Sequence, residues 1–201
     1  MRQAVPHPPQ IRPATRADAA SLAIIGDMAT RRLFSHLWGL AAGPGQSPFA
    51  VGRGIIRDHA EHFSHFTNWQ VAEQAGEIAG GMDCCRLPEG VTAEAIAQSP
   101  PVAQPLNALK AIAGGTWYIV ALALFPEFRG QGLGSRLLAK AEADAQAQNI
   151  ARLTLMVASF NPDAQRLYQR SGFHEWARRP FTPFPGSDPE GAWILMYKDI
   201  G

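Results

Sequence analysis

The sequence has almost no net charge, and this absence narrows the range of partners. Its 18 lysine and arginine residues offset 17 acidic residues, which leaves a formal net charge of +1 at neutral pH. A chain that binds nucleic acid or an anionic membrane surface normally carries a clear excess of basic residues. We therefore expect neither a nucleic-acid partner nor a membrane partner.

The chain is also poor in cysteine and has no long apolar run. Its two cysteines, Cys84 and Cys85, are neighbours, so a bridge between them would be strained and reduced thiols are expected. The longest apolar run is far below the ~20 residues that cross a bilayer. Because the N-terminal residues lack an apolar signal core as well, we predict a cytoplasmic protein.

A complete set of metal ligands is missing too. Residues 55–66 are predicted to form a helix that carries His59, His62 and His65. On a helix the third of these has rotated well away from the first, and no nearby cysteine completes a set. We predict no metal, and we assign the histidines to a partly exposed helix face or to a wall of an acceptor pocket.

What the chain does have is enough apolar sequence for one globular domain. Of its 201 residues 46% are hydrophobic and 17% are charged, which is typical of a globular protein. Residues 1–10 are predicted to be a mobile tail, and residues 11–201 a single domain. Residues 86–115, divided by four prolines, are predicted to be an insertion, for which a lid over an acceptor site and an inert segment both remain open.

The most informative stretch predicts a strand, a glycine-rich turn and a helix in succession. Residues 117–125 are all apolar or aromatic, and Pro126 ends the run because it has no N–H for a sheet ladder. The segment Arg129-Gly-Gln-Gly-Leu-Gly134 follows. Next comes an amphipathic segment to about Gln148, whose apolar side chains share one helical face. These residues are Leu133, Leu137, Leu138, Ala141 and Ala145.

This turn is expected to bind a phosphate or a pyrophosphate. The first N–H groups of a helix have no internal acceptor and lie at the positive end of its dipole. Glycines let an anion approach the backbone closely, and Arg129 adds a positive charge. The P-loop motif does not occur. A dinucleotide-binding fingerprint is excluded because Arg136 stands where a glycine is needed and no acidic residue lies near Thr154.

Two motifs together resemble the GNAT acyltransferase superfamily. The first is the R-x-x-G-x-G arrangement from Arg129 to Gly134. The second is Asn161-Pro-Asp-Ala-Gln-Arg-Leu-Tyr-Gln-Arg-Ser-Gly-Phe173, which matches the family pattern N-x-x-A-x-x-x-Y-x-x-x-G-F at every fixed position. The resemblance implies an α/β (α+β) GNAT fold. In that fold a mixed, mostly antiparallel, twisted sheet of about seven strands is flanked by about four helices.

The resemblance also implies an activity and a cofactor. Family members transfer an acyl group, most often the acetyl group of acetyl-CoA, directly to an amine of a small molecule or a peptide. A monomer or a homodimer is expected. The loop amides hold the pyrophosphate of coenzyme A, and the preceding strand pairs with its pantetheine arm. The implied cofactor-binding residues are Leu122, Ala123, Leu124, Arg129, Gly130, Gln131, Gly132, Leu133, Gly134, Ser135 and Asn161.

Two tyrosines are the candidate catalytic residues. Tyr168 matches the family tyrosine that protonates the leaving thiolate. Tyr118 occupies the strand position at which many members carry a glutamate that acts as the general base. Three alternatives for the base remain: Glu73 or Asp83 acting through water, one of the three histidines, or no single residue. Because the strand has no carboxylate at this position, a non-catalytic acyl-CoA-binding sensor remains the alternative function.

The acceptor pocket is predicted from three segments that are rich in proline, glycine or both. They are the predicted loop 39–54, the insertion 86–115 and the predicted loop 180–191. Four aromatic residues lie in or beside these loops: Trp38, Phe49, Phe181 and Phe184. The prediction is an acceptor with an apolar or aromatic portion, not a polyamine.

Overall fold

The structure, a computed structural model, describes residues 9–187 and 190–201. Its strands are β1 (Gln10–Pro13), β2 (Trp69–Gln74), β3 (Glu77–Arg86), β4 (Trp117–Leu124), β5 (Arg152–Ala158), β6 (His174–Pro180) and β7 (Ala192–Asp199). Its helices are α1 (Ala19–Ala29), α2 (Leu33–Ala41), α3 (Pro48–Asp58), α4 (Ala93–Ala97), α5 (Gln104–Ile112), α6 (Leu133–Ala147) and α7 (Pro162–Arg170). The first eight residues of the predicted tail lie outside the described residues, and Gln10 already begins β1.

The seven strands form one sheet in the order β1-β2-β3-β4-β5-β7-β6. Strands β4 and β5 are parallel, and the other pairs are antiparallel. In the β3–β4 pair, the Phe125 amide donates to the Ala79 carbonyl (2.9 Å) and the Leu87 amide to the Thr116 carbonyl (3.0 Å). The predicted mixed, mostly antiparallel α/β sheet is confirmed. The described residues form seven α-helices instead of about four. Helix α2 is additional, whereas α4 and α5 lie where the sequence offers short helical segments, at residues 92–98 and 106–113.

The chain divides into two compact units. Unit 1 comprises the described residues up to Asp83 together with residues 121–137, and unit 2 comprises residues 84–120 and the described residues from Leu138 onward. Strands β3 and β4 and helix α6 each contribute residues to both units. A single domain over residues 11–201 stays a prediction.

The sequence predicts a first helix that is capped by Thr15, extends to about Leu33 and has Ile24 on its apolar face. In unit 1 this helix begins as predicted but is shorter. The Thr15 amide and hydroxyl both donate to the Asp18 carboxylate, at 2.7 and 2.9 Å, and this capping box leads into α1. The pKa of Asp18 is lowered, chiefly by its hydrogen bond from Arg12. Helix α1 ends at Ala29 instead of near Leu33. Ile24, which was predicted to lie on the buried face, is 43% exposed.

The prediction of a loop over residues 39–54 is wrong, since most of these residues are helical. Helix α3 starts at Pro48, and the Ser47 hydroxyl caps it by accepting from the Ala50 amide at 3.2 Å. Gly52 lies against Trp38 of α2, where an added Cβ would be 2.4 Å from the indole ring. This glycine therefore permits two helices to pack closely and does not mark a loop.

The predicted helix 55–66 is also wrong, because α3 ends at Asp58. His59 follows as its C-terminal cap, and His62 and His65 lie in the turns that lead to β2. His65 is buried, and its Nδ1 lies 2.9 Å from the Thr67 hydroxyl. Within residues 9–187 and 190–201, no group of three or more histidine, cysteine, aspartate or glutamate side chains is arranged to hold a metal ion.

In unit 2 the insertion 86–115 is a packed segment. Its second helix, α5, packs against β6 and β7. Leu109 is fully buried, and Val102 and Ala113 are buried as well. These contacts make the insertion part of the core of unit 2.

Two observations bear on the expected location of the protein. Cys84 and Cys85 are both thiols in the structure. None of the helices in the described part of the chain has the length and apolar character needed to span a membrane. A cytoplasmic location stays a prediction.

Candidate active site

In unit 1 the loop between β4 and α6 adopts a conformation that requires its glycines. Gly130 and Gly132 have φ angles of 73° and 79°, in the left-handed region that glycine reaches without strain. A Cβ added to either would meet nothing within 4 Å. The loop therefore borders open space at both glycines, as close approach of a ligand to its backbone requires.

The first turn of α6 supplies unpaired donors next to these glycines. The Arg136 amide donates to the Gly132 carbonyl at 3.2 Å, so intrahelical bonding begins at Gly132. The N–H groups of Leu133, Gly134 and Ser135 therefore have no acceptor within the helix. The positive end of the helix dipole lies at the same place. This geometry suits a phosphate group and agrees with the site expected from the sequence.

Two side chains hold the loop in this shape. Arg129 Nε donates to the carbonyl of Leu124, the last residue of β4, at 3.0 Å. Gln131 Nε2 donates to the Glu127 carbonyl at 3.1 Å. Arg129 therefore ties the loop to β4 and also places a positive charge beside it.

The strand segment predicted to pair with the pantetheine arm is the end of β4. Leu122, Ala123 and Leu124 are its last three residues, and each is half-buried. On the side of β3 the packing is tight, since a Cβ on Gly80 would lie 2.3 Å from the Ala123 carbonyl oxygen. The ladder between β4 and β5 pairs Trp117–Ile119 with Leu153–Leu155. Beyond that ladder, the β4 backbone is the segment on which an extended, amide-containing arm is expected to pair.

The sequence predicts a helix that Asn161 caps, with Pro162 in its first turn, and that ends at Ser171-Gly172 in a Schellman close with Phe173. In unit 2 the second motif forms this helix, α7, with both of its predicted ends. Asn161 is the N-cap, and its Oδ1 accepts from the Ala164 amide at 3.4 Å. At the other end Gly172 has a φ of 87°, and its amide donates to the Gln169 carbonyl at 3.1 Å. The Phe173 amide donates to the Tyr168 carbonyl at 3.0 Å. This is the predicted Schellman ending, and it confirms the helix boundaries.

Tyr168 is anchored by the same helix ending. Its ring contacts Phe173 edge to face, with the ring centroids 5.9 Å apart, and only 8% of the residue is exposed. Burial raises the pKa of Tyr168 to about 12. The hydroxyl is therefore protonated at neutral pH, as a proton donor must be. The catalytic role of Tyr168 stays a prediction.

The raised pKa has a measurable effect on stability. In the unfolded chain Tyr168 loses its proton near the ordinary value of 10, whereas the folded chain keeps the proton to about 12. Between these pH values the unfolded state binds fewer protons, so the free energy of unfolding falls as pH rises, by about 2.7 kcal/mol in total from this group. Urea unfolding of the wild type and of Tyr168→Phe from pH 9 to pH 12 tests this effect. As the pH rises, the free energy of unfolding should fall further for the wild type than for the variant, by up to about 2.7 kcal/mol. If the free energy of unfolding falls equally with pH in both proteins, the hydroxyl loses its proton at the ordinary pKa in the folded chain.

The profile of the Acetyltransferase (GNAT) family matches residues 32–173, well over half of the chain, and spans both motifs. This chain belongs to the GNAT acetyltransferase family. The GNAT chain is 36% identical over 75 residues to a [ribosomal protein bS18]-alanine N-acetyltransferase of Haemophilus ducreyi. That match covers 37% of this chain and 52% of the relative, so the similarity spans about half of the relative's length.

Solved structures show the same fold. One acetyltransferase crystal structure superposes with a TM-score of 0.63 at 20% identity, covering 96% of this GNAT chain and all of the other. The protein yncA of Salmonella typhimurium, solved with its cofactor acetyl-CoA, gives a TM-score of 0.59 at 16% identity. That alignment covers 97% of this chain and 95% of yncA. At these identities the likeness establishes the GNAT fold.

Tyr118 holds the strand position at which many GNAT members carry a glutamate. It is buried in unit 2 and pairs with Thr154 of β5 in the sheet register. Lys110 of α5 places its Nζ 5.9 Å from the centroid of the Tyr118 ring. The sequence does not indicate this contact, because it joins the insertion to the central strand.

The two carboxylates named as alternative bases already have partners in unit 1. Glu73 accepts a hydrogen bond from Arg12 Nε at 2.8 Å, in an ion pair that is about one-third exposed. Asp83 is fully buried and accepts from the Ser64 hydroxyl at 2.9 Å. Neither contact favours these carboxylates as bases, and the base of this GNAT chain stays a prediction.

The aromatic residues expected in the acceptor pocket are mostly buried. Trp38, Phe181 and Phe184 are 7%, 8% and 9% exposed, and only Phe49, at 41%, presents much surface. Phe181 packs with Phe184 and also with Phe160 and Trp193, as part of an aromatic cluster in unit 2. Since three of the four residues serve the interior and residues 39–54 are not one loop, the argument for an aromatic acceptor does not hold.

Proposed function

We propose that the protein is an N-acetyltransferase that transfers the acetyl group of acetyl-CoA to an amine by direct attack. The observation that carries this proposal is the loop before α6. Its two left-handed glycines, the open space at their Cα atoms and the first helical amides form a cradle for a pyrophosphate. Membership of the GNAT family and the complete α7 motif support the same function.

In this proposal the backbone binds the donor. The amides of Leu133, Gly134 and Ser135, with Arg129 beside them, hold the pyrophosphate. The end of β4, Leu122–Leu124, pairs with the pantetheine arm, and Asn161 contacts the same arm. A backbone amide of β4 donates to the thioester oxygen, on which negative charge develops during attack.

The proton transfers fall to side chains of unit 2. Tyr168 donates a hydrogen bond to the leaving thiolate, and its high pKa keeps that donor protonated. Tyr118 is the candidate acceptor of the proton that the attacking amine must lose, directly or through water. In that role its side chain must react as a tyrosinate, because a neutral phenol cannot take up a further proton. The alternative, a non-catalytic acyl-CoA sensor, is favoured by one observation, the aromatic side chain at position 118 where many family members carry a glutamate.

Two measurements test the proposal. Calorimetric titration with acetyl-CoA, NAD and ATP should show the tightest binding for acetyl-CoA, and tighter binding of NAD would overturn the assignment. A panel of amines and peptides, followed by thiol release from acetyl-CoA, then separates enzyme from sensor. Because the Haemophilus relative is named for an alanine of ribosomal protein bS18, the panel includes a peptide that begins with alanine. Tight binding of acetyl-CoA with no acceptor acetylated would favour the sensor.

A further inference from the structure

We infer that Gln74 is a positioning residue for the pyrophosphate of coenzyme A, and that it acts through Gln131 of the loop. Gln74 is the last residue of β2, far from the loop in sequence. Its Nε2 donates to Gln131 Oε1 at 2.9 Å, and Gln131 Nε2 donates to the Glu127 carbonyl at 3.1 Å. Within unit 1 a chain of two hydrogen bonds thus joins the β2–β3 hairpin to the loop before α6.

The orientation of both amides makes this contact specific. The Glu127 carbonyl can only accept, so Gln131 must present its NH₂ group there and its oxygen to Gln74. Gln74 must in turn present its NH₂ group to Gln131. Its own Oε1 is then buried, with no hydrogen-bond partner among the residues that the structure describes. Gln74 therefore makes its hydrogen bond to the loop even though its own buried oxygen is left without a donor. A buried acceptor without a hydrogen bond costs free energy.

The contact acts at the most adaptable point of the loop. Gln131 lies between Gly130 and Gly132, the two residues with the widest conformational freedom. The other end of the link is stiff, because Gln74 borders a tight turn in which Ala75 and Gly76 have φ angles of 53° and 83°. Holding Gln131 in place before the ligand arrives reduces the ordering that binding would otherwise require.

This inference rests on the proposed function, since it assumes that the loop binds the pyrophosphate. The test compares CoA with pantetheine, which lacks the pyrophosphate, in titrations of the wild type and of Gln74→Ala. CoA binding should weaken by about three- to tenfold, the effect of losing one hydrogen bond. Pantetheine binding should not change. A general disturbance of the fold would weaken both ligands alike, and that result, like an unchanged affinity for CoA, would overturn the inference.

Two further variants make the test decisive. Gln70→Ala is the matched control, because Gln70 lies on the same strand and also has a buried Oε1 but donates no hydrogen bond to the loop in the described structure. It should bind CoA as the wild type does, and a loss equal to that of Gln74→Ala would count against the inference. Gln131→Ala also removes the bond to Glu127, so it should lose at least as much affinity for CoA as Gln74→Ala does. The double variant Gln74→Ala/Gln131→Ala should then match Gln131→Ala, whereas additive losses would refute a shared path. A folded wild type that does not bind CoA would instead overturn the proposed function itself.

Discussion

Replacing Gly132 by valine is expected to reduce the affinity for CoA by at least about 100-fold, or nearly 3 kcal/mol of binding free energy. The substitution weakens CoA binding whichever way the loop responds. A β-branched residue is strongly disfavoured at the Gly132 φ of 79°, so the backbone must turn its amides away from the cradle. If the backbone instead keeps its shape, the valine side chain enters the open space that the phosphate is proposed to occupy.

The control for this substitution is Gly45→Val. Gly45 has nearly the same backbone conformation, with a φ of 76°, and a Cβ there also meets nothing within 4 Å. It lies between α2 and α3, away from the loop in sequence. Both variants should lose similar stability, measured by urea unfolding, but only Gly132→Val should lose CoA binding in calorimetry. If Gly132→Val binds CoA as tightly as Gly45→Val does, the pyrophosphate does not lie on this loop.

Structural features that are determined by residues close together in the sequence could be predicted from it. Helix α7 shows this best, since Asn161 and Pro162 mark its start and Gly172 with Phe173 its end, all as expected. The apolar face of α6 was also predicted residue by residue, and its five members are 0–2% exposed. Each of these signals operates within one or two helical turns, so no knowledge of the fold is needed to interpret it.

The errors arise where a residue serves a partner distant in sequence. Gly52 contributes to the glycine-rich composition that predicts a loop, whereas in the structure its missing side chain lets Trp38 pack closely. Ser47 and Pro48, a cap followed by a proline in the first turn, were the local signal that would have identified α3. The bond from Gln74 to Gln131 spans 57 residues and leaves no local pattern. The glycine-rich loop was therefore recognisable as a motif, but its hydrogen bond to Gln74 was not.

The substitution Tyr168→Phe is expected to lower kcat by at least about tenfold while acetyl-CoA binding changes little. Phenylalanine keeps the ring and its edge-to-face contact with Phe173. Among the described residues no partner contributes to the pKa of the hydroxyl, whose shift is caused by burial alone. The fold should therefore tolerate the loss of the hydroxyl. What disappears is the donor to the thiolate, and a hydrogen bond to a charged group is worth about 1.5–3 kcal/mol, or about 10- to 150-fold in rate.

If Tyr168 has the proposed role, its raised pKa indicates how it acts. A phenol with a pKa of about 12 is a weaker acid than an ordinary thiol, whose pKa is near ~8.5, so complete transfer of its proton to the thiolate is unfavourable. The hydroxyl then acts mainly by a hydrogen bond to the charge that develops on sulfur. For this reason we expect kcat of Tyr168→Phe to fall by about ten- to a hundredfold. Full general acid catalysis can contribute more, up to about 10,000-fold.

Tyr197→Phe serves as the matched control for the loss of a hydroxyl. Tyr197 is a half-buried tyrosine of β7 in the same unit, and its ring packs against Trp176 and the guanidinium of Arg152. Steady-state kinetics with a responsive amine should show an unchanged kcat for Tyr197→Phe and a reduced kcat for Tyr168→Phe, with similar values of KM for acetyl-CoA. A Tyr168→Phe variant that loses acetyl-CoA binding and stability together would identify Tyr168 as a core residue. A variant that keeps full turnover would show that the thiolate leaves without help from this side chain.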